Sequence, residues 1–163
     1  MMNPSEFDDF HEILIRLGVA ALLGAILGVD RDLHQKPAGV RVLAMVALGA
    51  ALATLASITA IAEMTGAATD GVLRTVQGIL SGIGFLGAGV IMQRTDQNQM
   101  QIHGITTAAS IWVSAVLGIT CGLGQWLVTA TAFGLAMLVL VGGRWVERRL
   151  MNWSRNPSDE SSP

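Results

Sequence analysis

The sequence predicts an all-α membrane protein of about five transmembrane helices, N-terminus outside and C-terminus cytoplasmic, and three observations lead there. Of its 163 residues 52% are apolar and only 13% are charged, where a soluble domain carries roughly a quarter. Apolar runs approaching the roughly 20 residues that cross a bilayer occupy most of the chain. Lysine and arginine concentrate in alternate connections between those runs, as they do in cytoplasmic loops.

The first run, Ile13 to Val29, follows Glu6, Asp8, Asp9 and Glu12 with no lysine or arginine ahead of it, so residues 1–12 are expected outside. With no basic residues before it and no small-x-small cleavage site after it, the run is read as a retained span and not a removed signal peptide. Arg31, Lys36 and Arg41 place the first connection in the cytoplasm, and Pro37-Ala38-Gly39 makes it tight. The second run, Val40 to Ala62, returns to an outer connection holding Glu63, Asp70 and Arg74. The third, Val72 to Met92, ends at the cytoplasmic Arg94, and the fourth is Ile105 to Leu123. The fifth, Trp126 to Val141, is bracketed by Trp126 and Trp145 as interfacial anchors.

Arg144, Arg148, Arg149 and Arg155 hold the remaining segment in the cytoplasm, and Arg144 to Trp153 is expected to form a short amphipathic helix at the interface. Beyond Asn152 the composition turns to Ser, Asn, Pro, Asp and Glu and predicts disorder. The organisation is therefore an acidic external segment (1–12), one membrane domain (13–143) and a basic, then disordered, cytoplasmic tail (144–163). The lone Cys121 rules out an internal disulfide framework. A net charge of -2 with its signs segregated by side points to the lipid bilayer as partner and not to nucleic acid.

Glycine is densest in the third span. Gly82-x-Gly84-x-x-Gly87 matches a dinucleotide fingerprint in isolation, but it has no strand before it and no acidic residue about 20 positions on. On a helix, Gly71, Gly78, Gly82 and Gly89 share a narrow stripe, with Gly84, Gly87 and Ala88 on the other side. Both faces admit a neighbouring backbone, and Gly78-x-x-x-Gly82 is a close-packing pair of membrane helices. The expected arrangement sets Gly24 and Gly28 of the first span opposite Gly78, Gly82 and Gly89.

Arg16 lies about one turn inside the first span, where an arginine needs a partner or a route to water. Glu63, Asp70 and Gln77 are the candidates on its side, with Arg74 as a competing cation; snorkelling to the interface is the plainer reading. In the fourth span His103, Thr107, Ser110, Ser114 and Cys121 recur at spacings of four, three, four and seven, on one face. That stripe either lines a path or meets a partner, or its hydroxyls bond to carbonyls within a packed interface. His103 stands at the cytoplasmic entrance, where a lone histidine is either a polar cap, the commoner case, or a pH-sensitive switch. Asp30, Arg31, Lys36, Arg41 and Arg94, joined by Asp32, His34 and Asp96, form the densest charge cluster, either a docking surface for a partner or a phosphate group or the determinant of orientation.

No chemistry of an enzyme emerges. The carboxylates are too scattered for a magnesium cage, no Cys/His spacing suits zinc, and Ser110 and Cys121 have no base within a turn, so neither metal nor cofactor is expected.

Three stretches together resemble the MgtC/SapB family of bacterial membrane proteins: Leu23-Gly24-Ala25-Ile26-Leu27-Gly28-Val29-Asp30-Arg31 continued by Lys36-Pro37-Ala38-Gly39-Val40-Arg41, then Ser81 to Gly89, then Gly104-Ile105-Thr106-Thr107-Ala108-Ala109-Ser110-Ile111-Trp112-Val113. The chain departs from the family pattern at Asp30, where Glu is usual, and at Val42-Leu43, where Thr-His is common. Its end soon after the fifth span makes it similar to the short SapB-type members, without the C-terminal cytoplasmic domain of longer ones. The resemblance implies an inner-membrane protein without established enzyme activity. In some members it implies links to growth under magnesium limitation, to survival inside host cells and virulence, and to membrane potential through the ATP synthase.

The resulting expectation is a regulator of ion or magnesium homeostasis or of membrane potential, working as a homo-oligomer or on another membrane protein. The alternative is a small oligomeric ion transporter or channel in which Arg16 and the fourth-span stripe line the path.

Overall fold

Five helices and one hairpin follow in chain order in a computed structural model that describes residues 4–62, 68–96 and 99–154, with side chains over 10–60, 70–91, 104–143, 145–146 and 149. Helix α1 is Pro4–Leu33, α2 is Val40–Ala62 and α3 is Ala68–Val90; strands β1 (Met92–Asp96) and β2 (Gln99–His103) precede α4 (Ile105–Gly122) and α5 (Trp126–Ser154). Among the described residues five helices are long and apolar enough to cross a membrane.

The boundaries follow from local chemistry. A proline opens α1, where its missing N–H costs nothing because that donor has no helical partner. The α1 C-terminus unwinds where Gln35 (φ 52°) and Ala38 (φ 58°) turn left-handed, and Arg31 O accepts the N–H of Lys36 at 3.0 Å. Helix α2 then starts at the expected Val40. Its first N–H donates to Asp32 Oδ2 at 3.0 Å, so the carboxylate caps it from across the turn. Gly39 presses against that carboxylate so closely that a Cβ there would overlap Asp32 Oδ1. Either Asp32→Ala or Gly39→Ala is therefore expected to release the cap and cost about 1 kcal/mol, and the double variant about as much as one single. Detergent-to-SDS unfolding of the four proteins checks this; additive losses would show that the two residues act separately.

Three expectations need correction. The third span ends at Val90 and not at Met92, because the connection to α4 is an antiparallel hairpin with Met92 opposite His103 and Asp96 opposite Gln99. Its open edges require water or protein and not hydrocarbon, so the helix must stop before it. The segment Arg144 to Trp153 is no separate interfacial helix but continues α5 without a break, with the Arg149 guanidinium 4.5 Å from the centre of the exposed Trp145 ring. The glycine pairing between the first and third spans is absent: Gly24 abuts the Leu43 carbonyl and Ala44 of α2, and Gly28 abuts Val40.

Helix α2 is thus the centre, with α1 on one side and α4 on another. Its alanines make this possible, since Ala47 and Ala51 are fully buried together with Ala20 of α1 and Cys121 of α4. In α4, Gly118 meets the Ala47 carbonyl, and Gly122 meets the Ala51 carbonyl and Thr54. Between lipid-facing helices apolar burial gives little net drive, so close backbone approach and its dispersion contacts hold such a core. Helix α3 packs on α4 and α2, and α5 chiefly on α4. Of the third-span glycines, Gly87 touches Ala108, whereas Gly78, Gly82, Gly84 and Gly89 have open space where a Cβ would stand.

Candidate functional site

The polar side chains gather at the two ends of the α1–α2–α4 core. At the end where α1 finishes and α2 and α4 begin, Arg31 is 4% exposed and donates through Nη2 to Thr107 Oγ1 in the first turn of α4. A buried guanidinium must be hydrogen-bonded to be tolerated there, and its place in the last turn of α1 suits the negative end of the helix dipole. One turn further into α4, Ser110 donates to its own Thr106 carbonyl at 2.8 Å. Ser114 donates across the interface to Leu43 O at 2.7 Å, the carbonyl that Gly24 also abuts. Three helices thus converge on one backbone carbonyl.

The fourth-span stripe therefore faces inward. Thr107, Ser110, Ser114 and Cys121 are all buried, and each hydroxyl among them has a partner within the fold, so within one chain they present neither a lined path nor a free docking face. The His103 side chain lies outside the described residues; only its backbone, paired with Met92 in the hairpin, is placed.

The charge cluster expected at the same end is not one site. Arg31 is buried, Asp32 caps α2, and His34 Nδ1 contacts Asp30 O at 2.7 Å. Lys36 is exposed, as is Arg41, which stands instead at a groove between α2 and α3. The side chains of Arg94 and Asp96 lie outside the described residues.

At the opposite end, Arg16 is held by neither Asp70 nor Gln77, both exposed on α3 with Arg74; Glu63 lies outside the described residues. Its Nη1 donates to Gly122 O at 2.8 Å, and its Nη2 pairs with Glu12 one turn earlier on α1. Gly124, left-handed at φ 71°, brings the α4–α5 turn against the guanidinium. The physical reason is proximity. A long side chain on α1 reaches the end of its packed neighbour α4, whose last carbonyls lack helical donors. Arg16→Ala is expected to cost about 1 kcal/mol, and Glu12→Gln less, because the exposed ion pair is solvent-screened while the carbonyl bond is partly buried. Thermal unfolding in detergent reads both; a larger loss for Glu12→Gln would reverse the ranking.

Residues the sequence reading did not single out complete the core: Gly118, Gly122, Thr54 and the buried pair Thr129 and Thr120, joined at 2.8 Å. Their signal was available, since Ser114, Gly118 and Gly122 are small residues at successive fours. Among the described residues no three His, Cys, Asp or Glu side chains group as a metal site.

A family model described as the MgtC family matches residues 17–149. Protein SrpB of Synechococcus elongatus is 38% identical over 144 residues, covering 86% of this chain and 79% of that protein. Protein MgtC of Salmonella typhimurium is 45% identical over 112 residues, covering 69% of this chain but 44% of that protein. Protein SapB of Bacillus subtilis is 33% identical over 144 residues, covering 85% of this chain and 60% of that protein. No solved structure matches the chain.

Proposed function

We propose, given that this chain belongs to the MgtC family, that it modulates ion or magnesium homeostasis, or membrane potential, by acting on a partner membrane protein. It is a multi-pass membrane protein. The reading extends to the bacterial inner membrane, with the N-terminus outside and the C-terminus cytoplasmic, on the distribution of lysine and arginine.

The observation that carries a regulatory over a transporting role is the closure of the α1–α2–α4 core. Ser114 binds a backbone carbonyl of α2, and Gly118 and Gly122 bring α4 against two more. A hydrated path along the fourth-span stripe would require those contacts to part. Helices α3 and α5 present large apolar side chains outward instead, among them Phe85 at 80% and Leu127 at 83% exposure, and this is surface that another membrane protein or a second copy can cover. Nothing in this role calls for catalysis, and the ATP synthase is one partner that the family resemblance makes worth testing.

The deciding experiment measures proton, sodium, potassium and magnesium flux in liposomes holding only the purified protein, beside empty liposomes and a Ser110→Leu variant. Flux at background from folded protein, with an effect on ion balance that appears only when the native membrane is present, is the expected result. Flux that Ser110→Leu abolishes would replace this reading with that of an oligomeric transporter.

A further inference from the structure

Between α2 and α3 runs an open groove of about 840 Å³ whose charge and length together specify an occupant. Its walls are apolar, and its floor includes Gly49, Gly78 and Gly82, none of which has an atom within 4 Å of where a Cβ would stand. Among the described residues the lining carries a single charge, the exposed Arg41 in the first turn of α2, and no carboxylate. The groove is therefore cationic at one end and apolar along the rest. From Arg41 to Gly49 the helix rises about 12 Å, and from Gly78 to Leu86 about 12 Å on the other wall. That is close to one leaflet of a hydrocarbon core of about 30 Å.

We infer that this groove binds one anionic phospholipid, its phosphate on Arg41 and an acyl chain along the Gly49, Gly78 and Gly82 floor. An amphiphile with one negative end and an apolar body one leaflet long matches both the charge and the extent of the site. A partner helix would have to cross both leaflets, about twice the length of this groove. Basic sites between transmembrane helices near the membrane surface are recognised binding places for anionic headgroups. The glycines leave the volume free, which explains why the third-span stripe stays unpacked within the chain although it has the spacing of a helix-packing motif. The inference does not rest on the proposed regulatory role, because the binding is read with no partner present.

The test is native mass spectrometry of the full-length protein in a neutral detergent, titrated with phosphatidylglycerol or phosphatidylcholine of identical acyl chains. One phosphatidylglycerol per chain is expected, held more tightly than phosphatidylcholine. Arg41→Gln should weaken it about tenfold, the effect of one charge-assisted contact, and Arg41→Lys should restore most of it. Gly82→Leu, which places its side chain in the open groove, should weaken both lipids. Helix content and a single elution peak confirm that each variant is folded. Equal binding of the two lipids, unchanged by Arg41→Gln, would overturn the inference. So would a Gly82→Leu variant that changes the oligomeric state while leaving phosphatidylglycerol binding intact, since the groove would then be a surface between copies.

Discussion

Gly118→Ala is expected to destabilise the protein by about 1–3 kcal/mol, the cost of forcing volume into a packed interface, although alanine is the better helix former. At Gly118 the new methyl would overlap the Ala47 carbonyl and stand 2.9 Å from the Ala50 Cβ. That carbonyl belongs to the hydrogen-bond ladder of α2 and cannot swing aside as a side-chain end can. Relief therefore requires the whole of α4 to retreat, which also draws Ser114 away from Leu43 O. Gly82→Ala is expected to do the opposite, staying neutral or gaining up to about 1 kcal/mol, because only helix propensity changes where nothing lies within 4 Å. SDS-titrated unfolding of the two single variants makes the comparison. Equal tolerance at both sites would mean that α4 and α2 do not approach as closely as described.

Thr107→Val should cost about 1.5–3 kcal/mol, and Thr107→Ser should restore most of it. The hydroxyl accepts from a guanidinium that is 4% exposed, and a valine of nearly the same shape would remove that buried, charge-assisted hydrogen bond. Arg31→Met removes the charge but also the link between the last turn of α1 and the first of α4. The two variants touch the same interaction, so the double variant should lose less than the sum of the singles, by more than about 0.5 kcal/mol. Strict additivity in the unfolding midpoints would show that the Arg31–Thr107 contact contributes nothing of its own. A selective effect on activity, with stability unchanged, would mark the pair as functional and not structural.

Much of the architecture was legible in the chain. Val40 to Ala62 was read as the second span and is α2 to the residue, because a charged loop on one side and an apolar run set those limits without help from any other segment. The motif Asp30-Arg31 through Gly39-Val40 was visible as a unit, but the division of labour inside it was not. Which carboxylate caps, which arginine is buried and which stays exposed depend on how two helices and a third strand-linked one come together at that corner.

The sequence by itself determined the number of helices, their approximate limits, the membrane setting and the family, because run length, charge and motif spacing are properties of each segment against lipid and water. Only the tertiary structure decided which glycines are contacts and which line a groove, since Gly24 with Gly28, Gly78 with Gly82 and Gly118 with Gly122 all have the same spacing. A four-residue repeat fixes the face on which two residues lie and says nothing about what stands opposite. The same holds for Arg16, whose partner is a backbone carbonyl of α4, a group that every residue carries and that becomes specific only when the fold brings one helix end beside it.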